Sequence, residues 1–374
     1  MSAFRTLDVA GPIPVVLVGA GAMGRAWMRN LAASPDVDLV GLVDLDLDLA
    51  RRRVEEESLG DVVLGTSTAE VAAAAGALAV VDVTVPPAHR PVNEEALRAG
   101  LPVLCEKPIA PTLAGALSQA ALAEVTGELL MVSQSRRYYD HLATFRDIVR
   151  SLGRLGVVTT DFFKAPHFGG FRDEMAHPLL VDMAIHQFDA VRYLIDADPV
   201  SVSCVTWNPA WSWYRGDAAA TAEFEFEGDV RYIYTGSWCS PGLETSWNGS
   251  WRVSGSEGSA QWDGANAPVT EAGPPPRPAA GAGEEIAGSL AEFVRALRTG
   301  RVPSGEIHTN ILSLAMVEGA VKSANSGARV QIAALLDEAW QEALRTEGPG
   351  DIRAQLEGWG SGESSTRPSR SAVG

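Results

Sequence analysis

The sequence predicts an α/β domain with a doubly wound parallel sheet, followed by an α+β domain with an open-faced, mostly antiparallel sheet. Two patterns along the chain support this prediction. From Pro14 to about Val132, short apolar runs alternate with helix-like runs, which is typical of repeated βα units with right-handed crossovers. After about Ser133, segments of alternating polarity follow one another with turn residues between them, which indicates antiparallel strands with one covered face.

The first domain is predicted over residues 13–133, after a loose leader over residues 1–12. Its strands are short apolar runs, expected at Val15–Val18, Leu39–Val43, Leu78–Thr84, Val103–Cys105 and Leu129–Val132. Helices are expected between the strands, at Arg25–Ala32, Asp48–Glu57, Thr68–Ala75, Pro91–Ala99 and Thr112–Ala123.

The second domain is predicted over residues 134–336. Its strands are expected at Gly156–Lys164, Ser201–Thr206, Ala219–Phe226, Val230–Ser237 and Ser246–Ser254. Its helices are expected at His141–Ser151, Leu179–Leu194, Ile286–Leu297 and Ile311–Asn325. The segment Glu271–Glu284 is predicted to be a mobile loop. Residues 337–374 are predicted to lie after the second domain. They would contain the end of a further helix, at about Ala333–Leu344, and a disordered tail from Gly348.

Composition narrows the class of protein. A length of 374 residues favours two domains, and a hydrophobic content of 46% suits a sizeable core. The formal net charge of −17 argues against nucleic acid or an anionic membrane as a partner. No signal-peptide core, membrane-length apolar stretch, disulfide framework or metal-ligand spacing is recognisable, so we expect a cytoplasmic protein without a metal site.

A glycine-rich motif of the form G-x-G-x-x-G, Gly19 to Gly24, follows the first predicted strand and leads into a helix. Gly19 allows a tight turn, Gly21 lets the backbone approach a pyrophosphate, and Gly24 lets the helix pack on the sheet. Ala22 and Met23 complete the loop, whose free N–H groups would face the phosphates. The motif therefore predicts a dinucleotide-binding loop, the alternative being a glycine-rich turn without special use.

An acidic residue, Asp44, ends the second strand, twenty residues after Gly24. A carboxylate at this place can accept both hydroxyls of the adenosine ribose and would repel a 2′-phosphate. The next residue, Leu45, cannot offset that charge. The sequence therefore favours NAD over NADP.

The turn after the fourth strand, Cys105-Glu106-Lys107-Pro108, lies where ligands bind in sheets of this kind. Lys107 could approach both the nicotinamide and a substrate hydroxyl, and burial would leave it able to exchange protons. Glu106 could orient the lysine or bind the cofactor. The alternative is a surface lysine before a turn proline.

Asp182 and His186 are four residues apart in a predicted helix, which would place them one turn apart on one face. An imidazole beside a carboxylate is a plausible acid–base pair near neutral pH. The alternative is a helix with a satisfied histidine and a capping acid. Asp189 is expected to pair with Arg192.

Aromatic residues are concentrated in the second domain, where seven of the ten tryptophans lie between Trp207 and Trp262. Their faces suit the C–H faces of sugar rings, so Trp211 and Trp238 are candidate substrate contacts, although core packing or a subunit interface is the alternative. His167 flanks a loop that could cover a site. In the first domain, His89 follows the third βα strand and could line the cofactor cleft.

The motifs together resemble the glucose–fructose oxidoreductase, inositol dehydrogenase and MocA (GFO/IDH/MocA) family over about residues 13–332. Five features occur in family order: the glycine run, Thr84-Val85-Pro86-Pro87, Glu106-Lys107-Pro108, Ser135-Arg136-Arg137-Tyr138 and Asp182-x-x-x-His186-x-x-Asp189. The segment between Pro86 and Gly100 is about one residue shorter than usual, so His89 is carried over only weakly. The tail beyond about Asp337 lies outside the pattern.

This resemblance implies a Rossmann domain, a large open-faced sheet that often forms dimers or tetramers, and hydride transfer between NAD(P) and a sugar, cyclitol or related alcohol. It implies that Lys107 orients the reacting hydroxyl, with a cis bond to Pro108, that Asp182 orients the substrate and that His186 transfers the proton. Thr84, Pro86 and Glu106 would line the cofactor site, and Arg137 and Tyr138 the substrate site. Two alternatives are an NADPH-dependent keto-sugar reductase and a non-catalytic dinucleotide-binding regulator.

Overall fold

The computed structural model describes residues 4–271 and 283–367, which form two compact units. Among these residues, the first unit comprises residues 4–135, 283–311 and 339–367, and the second comprises residues 136–271 and 312–338. The chain thus leaves the first unit and returns to it twice. The predicted loop Glu271–Glu284 lies almost entirely outside the described residues.

The strands and helices have the following bounds in chain order. The strands are β1 (Ile13–Val18), β2 (Val37–Val43), β3 (Val63–Gly65), β4 (Ala79–Asp82), β5 (Val103–Glu106), β6 (Leu130–Ser133), β7 (Leu155–Phe163), β8 (Pro199–Trp207), β9 (Ala219–Phe226), β10 (Val230–Ser237), β11 (Ser250–Gly255), β12 (Gly258–Trp262), β13 (Val269–Thr270) and β14 (Val330–Gln331). The helices are α1 (Ala22–Ala33), α2 (Leu47–Glu56), α3 (Thr68–Ala75), α4 (Pro86–Arg98), α5 (Leu113–Thr126), α6 (Asp140–Ser151), α7 (Ile185–Ile195), α8 (Glu285–Thr299), α9 (Ile307–Ser326), α10 (Ile332–Thr346) and α11 (Asp351–Trp359).

The first unit contains a parallel sheet of six strands in the order β3-β2-β1-β4-β5-β6. This is the strand order of the Rossmann fold. Its central strands are continuous apolar runs because both faces of the sheet are covered, and Val16, Leu17 and Val80 are fully buried. The predicted fold of this part is confirmed, and β3 is a strand that the sequence prediction missed.

The second unit contains a mixed sheet of eight strands in the order β13-β12-β11-β7-β10-β9-β8-β14. Only the pairing of β7 with β10 is parallel, so the predicted, mostly antiparallel sheet is confirmed. Helix α7 covers one face, where the ring of Phe188 lies 4.8 Å from that of Phe224 and 5.3 Å from that of Tyr234. The opposite face carries partly exposed apolar side chains, among them Ile233.

The predicted helix Leu179–Leu194 is not a regular α-helix. Its first part, Leu179–Ala184, forms a π-helical turn before α7 begins at Ile185. Hydrogen bonds in a π turn run over five residues instead of four, so the regular spacing assumed from the sequence does not hold there. Such turns are frequent at functional sites, and this one contains Asp182.

The described residues nearest the two ends of the chain are more ordered than the sequence predicts. In the predicted leader, Phe4 is buried and the Leu7 amide donates to the Leu297 carbonyl. The predicted disorder of the tail is wrong for α11, which packs on α5. No helix in the described residues is both long and apolar enough to cross a membrane.

Candidate functional site

The glycine motif forms a tight loop between β1 and α1. Gly19 has a φ of +106°, which favours glycine, and a Cβ on Gly24 would lie 2.0 Å from the Gly19 carbonyl oxygen. A Cβ on Gly21 would instead meet no atom within 4 Å. Gly21, Ala22 and Met23 are exposed, and α1 begins without a side-chain cap. The loop thus offers an open surface with helix N–H groups, which fits an anionic pyrophosphate.

Asp44 braces this loop from the end of β2. Its Oδ2 accepts the Ala20 amide at 2.7 Å, and its Oδ1 accepts the Asp46 amide at 2.8 Å. Each carboxylate oxygen has a second lone pair, so the side chain can also accept ribose hydroxyls. Leu45 is 91% exposed and brings no positive charge to this edge.

The end of β5 holds Lys107 through Glu106. The buried Glu106 carboxyl accepts the Trp27 indole N–H at 2.9 Å and the Lys107 amide at 3.2 Å. Burial raises the pKa of Glu106. Lys107 itself is half-buried, and its bond to Pro108 is cis. Glu106 therefore fixes the backbone of Lys107, and its partner Trp27 is a residue that sequence reasoning missed.

The turn after β4 is organised by the buried Asp82. Its Oδ1 accepts both the amide and the hydroxyl of Thr84, at 3.0 and 2.7 Å, and the Cys105 thiol lies 3.7 Å from its Oδ2. Burial raises the pKa of Asp82. The Thr84 hydroxyl is thus used within the protein, whereas half-buried Pro86 begins α4. Sequence reasoning missed Asp82, although an acid that ends an apolar strand is a recognisable signal.

The structure speaks against the predicted place of His89 in the cofactor cleft. Its side chain is fully buried, with Nδ1 2.9 Å from the Pro108 carbonyl oxygen and Nε2 3.1 Å from the Thr84 carbonyl oxygen. Ligand atoms of Asp82, His89 and Cys105 lie within 4.8 Å of one another, a spacing that a metal could use. The ring nitrogens of His89, however, both face backbone carbonyls.

In the second unit, Asp182 pairs with an arginine that sequence reasoning left without a role. Arg172 donates from Nε to Oδ2 of Asp182 at 2.6 Å, and its guanidinium lies over the Phe171 ring at 4.7 Å. His186, in the first turn of α7, is 8% exposed. The structure places this acid and this histidine in consecutive turns, one π-helical and one α-helical.

Arg137 and Asp189 form a buried bidentate ion pair, with both N–O distances at 2.6 Å. The Ser313 hydroxyl donates to Asp189 at 2.7 Å and accepts from Arg192 at 3.0 Å. The predicted pairing of Asp189 with Arg192 is therefore corrected, since Arg192 reaches it through Ser313. Arg137 is held inside the protein, which speaks against the predicted substrate contact. Tyr138, beside it, is half-buried.

The aromatic residues divide between core and surface. Trp238 is 1% exposed and stacks on Tyr214 with ring centroids 5.8 Å apart, which speaks against its predicted role as a substrate contact. Trp211 is 67% exposed and donates its indole N–H to the Cys239 carbonyl. His167 is exposed and stacks on Trp213 at 3.7 Å.

Comparison with known proteins identifies the family. Residues 13–134 match the oxidoreductase family with an NAD-binding Rossmann fold, and residues 144–261 match the GFO/IDH/MocA C-terminal domain. The chain belongs to the GFO/IDH/MocA oxidoreductase family. Its oxidoreductase class and NAD-binding Rossmann domain are those that the sequence motifs predict, whereas the roles of individual site residues stay predictions.

Similar proteins include two that match most of the chain. Protein y4oX of Sinorhizobium fredii is 29% identical over 85% of this chain and 95% of its own length. A D-apiose dehydrogenase of Paraburkholderia graminis is 28% identical over 90% and 94%. An inositol 2-dehydrogenase of Streptomyces avermitilis is 32% identical over 52% of this chain and 57% of its own.

Two solved structures share the fold. An oxidoreductase from Agrobacterium radiobacter in complex with NAD⁺, L-tartaric acid and magnesium has a TM-score of 0.76 at 20% identity, covering 86% of this chain and 99% of its own. A myo-inositol 2-dehydrogenase from Lactobacillus plantarum has a TM-score of 0.72 at 22% identity, covering 86% and 99%.

Proposed function

We propose that this protein is an NAD-dependent oxidoreductase that transfers a hydride between a secondary alcohol of a sugar, cyclitol or related polyol and NAD. The main support for this proposal is the set of residues that lie at the carboxyl edge of the parallel sheet. There the open loop of Gly21 follows β1, Asp44 follows β2, and Lys107, held by Glu106, follows β5. The groups proposed to hold the cofactor thus share one edge with Lys107, and this edge is where such sheets bind ligands. Relatives named D-apiose dehydrogenase and inositol 2-dehydrogenase support the substrate class.

The chain's own residues would manage the proton. When bound, NAD supplies the carbon that accepts the hydride. His186 would take the proton of the reacting hydroxyl, while Lys107 would hold that oxygen and share its proton. Asp182 would position the substrate or keep the imidazole oriented. Acid–base assistance of this kind contributes roughly 10²–10⁴-fold to a rate.

The preference for NAD over NADP rests on Asp44. Its carboxylate would repel a 2′-phosphate, and the exposed Leu45 gives no compensating charge. The competing function is reduction of a keto-sugar with NADPH. Fluorescence titration with NADH and NADPH separates the two, because tighter binding of NADPH would contradict the role given to Asp44.

The catalytic assignment is tested with two variants and one control. Sugars and inositols are first screened with NAD at the NADH absorbance. Lys107→Ala and His186→Ala should then each lose most of the turnover of the best substrate while retaining NADH binding. Lys322→Ala, which removes an exposed lysine paired with Glu338, should keep full turnover. Wild-type turnover in both site variants would refute the assignment, and no turnover of any polyol by the wild type would favour a non-catalytic regulator.

We also propose that the open face of the second sheet joins copies of this chain into a dimer or tetramer. It carries Val157, Val205, Trp207 and Ile233, all between 37% and 65% exposed. An apolar set of this kind on one sheet face suits an interface. Ile233→Asp should lower the mass measured by light scattering, and a monomeric wild type would contradict the proposal.

A cytoplasmic location is proposed from the cysteines. All three, Cys105, Cys204 and Cys239, are free and buried, as suits a reducing compartment. Cell fractionation with an antibody against the protein tests this location.

A further inference from the structure

His89 is a buried histidine of the first unit, and both of its ring nitrogens lie against backbone carbonyl oxygens. It lies in the first turn of α4, fully buried, with Nδ1 2.9 Å from the Pro108 carbonyl oxygen and Nε2 3.1 Å from the Thr84 carbonyl oxygen. One side chain thus contacts the turn after β4 and the turn after β5. The second of these turns contains Lys107.

Both contacts require the ring to donate. A carbonyl oxygen only accepts hydrogen bonds, whereas a neutral imidazole has one N–H and one bare nitrogen lone pair. A neutral ring would therefore set a lone pair against an oxygen on one side of His89. Only the doubly protonated ring satisfies both carbonyls at these distances.

The charges that face His89 are suited to a buried cation. On β4, Asp82 places a carboxyl oxygen within 4.8 Å of a ring nitrogen, and His89 acts to lower the pKa of Asp82 against the effect of burial. On β5, Glu106 and Cys105 are buried nearby, and Glu106 also faces the positive charge of Lys107. A buried cation is tolerated where acids of this kind compensate it.

The same face of α4 also anchors Ile109, the residue that follows Pro108 in the turn after β5. Asn93, one helical turn after His89, donates to the Gln119 side chain at 2.7 Å, and Gln119 donates to the Ile109 carbonyl at 2.8 Å. The carbonyls of Pro108 and Ile109 are thus both anchored by α4, one directly and one through Gln119. On the other side of Lys107, Glu106 accepts its amide.

We propose that His89, as an imidazolium, is a positioning residue that locks the Lys107–Pro108 turn to the Thr84 turn and so sets the place from which Lys107 acts. The role in turnover rests on the proposed function, whereas the protonation state does not. Without the two bonds, the carbonyls of Pro108 and Thr84 would each lose the donor that His89 supplies, and the lysine turn would move.

The protonation state is tested in the wild-type, full-length protein. Histidine is labelled with ¹⁵N, and the ring signals of His89 are assigned by their absence in His89→Gln. At neutral pH both ring nitrogens should carry slowly exchanging protons and show protonated shifts. A single protonated ring nitrogen at neutral pH would overturn the proposal, whatever the substrate of the protein is.

The positioning role is tested by kinetics with a matched control. His89→Phe keeps a ring but no donor, and kcat should fall roughly 100-fold, since displacement of a reacting group by about 1 Å costs that much. His89→Gln, which keeps a donor, should recover part of the loss. NAD affinity should fall less than kcat in both, because neither touches the glycine loop.

His308→Gln is the control, because His308 is another buried histidine of the same unit. It should lower stability and leave kcat unchanged. Equal losses of kcat in His89→Phe and His308→Gln would overturn the positioning role, as would an unchanged kcat in His89→Phe. If His89→Phe does not fold, the comparison of His89→Gln with His308→Gln decides in the same way.

Discussion

His308 should make the stability of the first unit depend on pH. It lies at the start of α9 between two carboxylates, with Nδ1 2.6 Å from Oε1 of Glu306 and Nε2 2.9 Å from Oε1 of Glu124. The other oxygen of Glu124 accepts from the Trp359 indole at 3.0 Å and from Gln355. His308 is thus part of the network that fastens α11 to α5.

The size and sign of the effect follow from the pKa. Burial acts to lower the pKa of His308, but the charges of Glu306 and Glu124 outweigh it and raise the pKa from 6.5 to about 9. That difference corresponds to about 3 kcal/mol of stability. Because the folded-state pKa is raised, this stability is fully present below about pH 6.5 and is lost as the pH rises through about 9.

Urea unfolding of the wild type and of His308→Gln at several pH values measures the effect. The difference in unfolding free energy should be larger at pH 6 than at pH 10, by about 3 kcal/mol. Hydrogen exchange should show the loss of protection in the peptide that contains α11. His167→Gln, a surface histidine of the other unit, should show no such trend.

If the difference in unfolding free energy between wild type and His308→Gln stays constant from pH 6 to 10, this reasoning is refuted. A neutral histidine would then stabilise the protein as well as a charged one. Loss of protection throughout the first unit, instead of in α11 and its neighbours on α5, would refute the assignment of the network to the tail.

Three further predictions concern the cofactor loop and the second unit. Asp44→Ala should weaken NADH binding about 10- to 100-fold in a fluorescence titration, since hydrogen bonds to a charged group are worth about 1.5–3 kcal/mol, while Asp46→Ala, which removes the cap of α2, should not. Gly24→Ala should lower both thermal stability and NADH affinity because its Cβ meets the Gly19 carbonyl, whereas Gly21→Ala should lower affinity alone, so equal melting temperatures for the two would contradict the account. Arg137→Ala leaves the Asp189 carboxylate buried and should cost about 3–5 kcal/mol in urea unfolding, and a loss below about 1 kcal/mol, the range of surface pairs, would show that the pair is not buried as described.

The elements of the first unit were predictable because their signals are local. An apolar run, a glycine turn and a helical run repeat along the chain, and the parallel order follows from short right-handed connections. The missed strand β3 has only three residues, and none of them is fully buried. A short strand at the edge of a sheet has too few buried apolar residues to be recognised from the sequence.

The sequence predicted which reactive residues lie at the candidate site, but it did not predict which side chains they contact. Lys107, Asp182 and His186 could be recognised because each is an ionisable residue at a position in the predicted fold where it could exchange a proton or orient a substrate. Asp182 pairs with Arg172, ten residues away in sequence, and Glu106, which accepts the Lys107 amide, also accepts from Trp27, 79 residues away. Only the folded chain brings these groups together. His89 was noticed for the same reason, but the sequence did not show that its side chain is buried.

The tail shows how tertiary contacts override composition. Residues after Gly348 are rich in Gly, Ser and charged groups, and a helix of nine residues has little stability of its own in water. Helix α11 nevertheless forms because Ile352 and Leu356 are buried against the first unit and because Glu124 accepts the Trp359 indole. Trp359→Phe keeps the apolar ring and removes only this hydrogen bond. If the network and not burial alone fixes the tail, this change should lower the protection of α11 against hydrogen exchange, and unchanged protection would assign its order to burial.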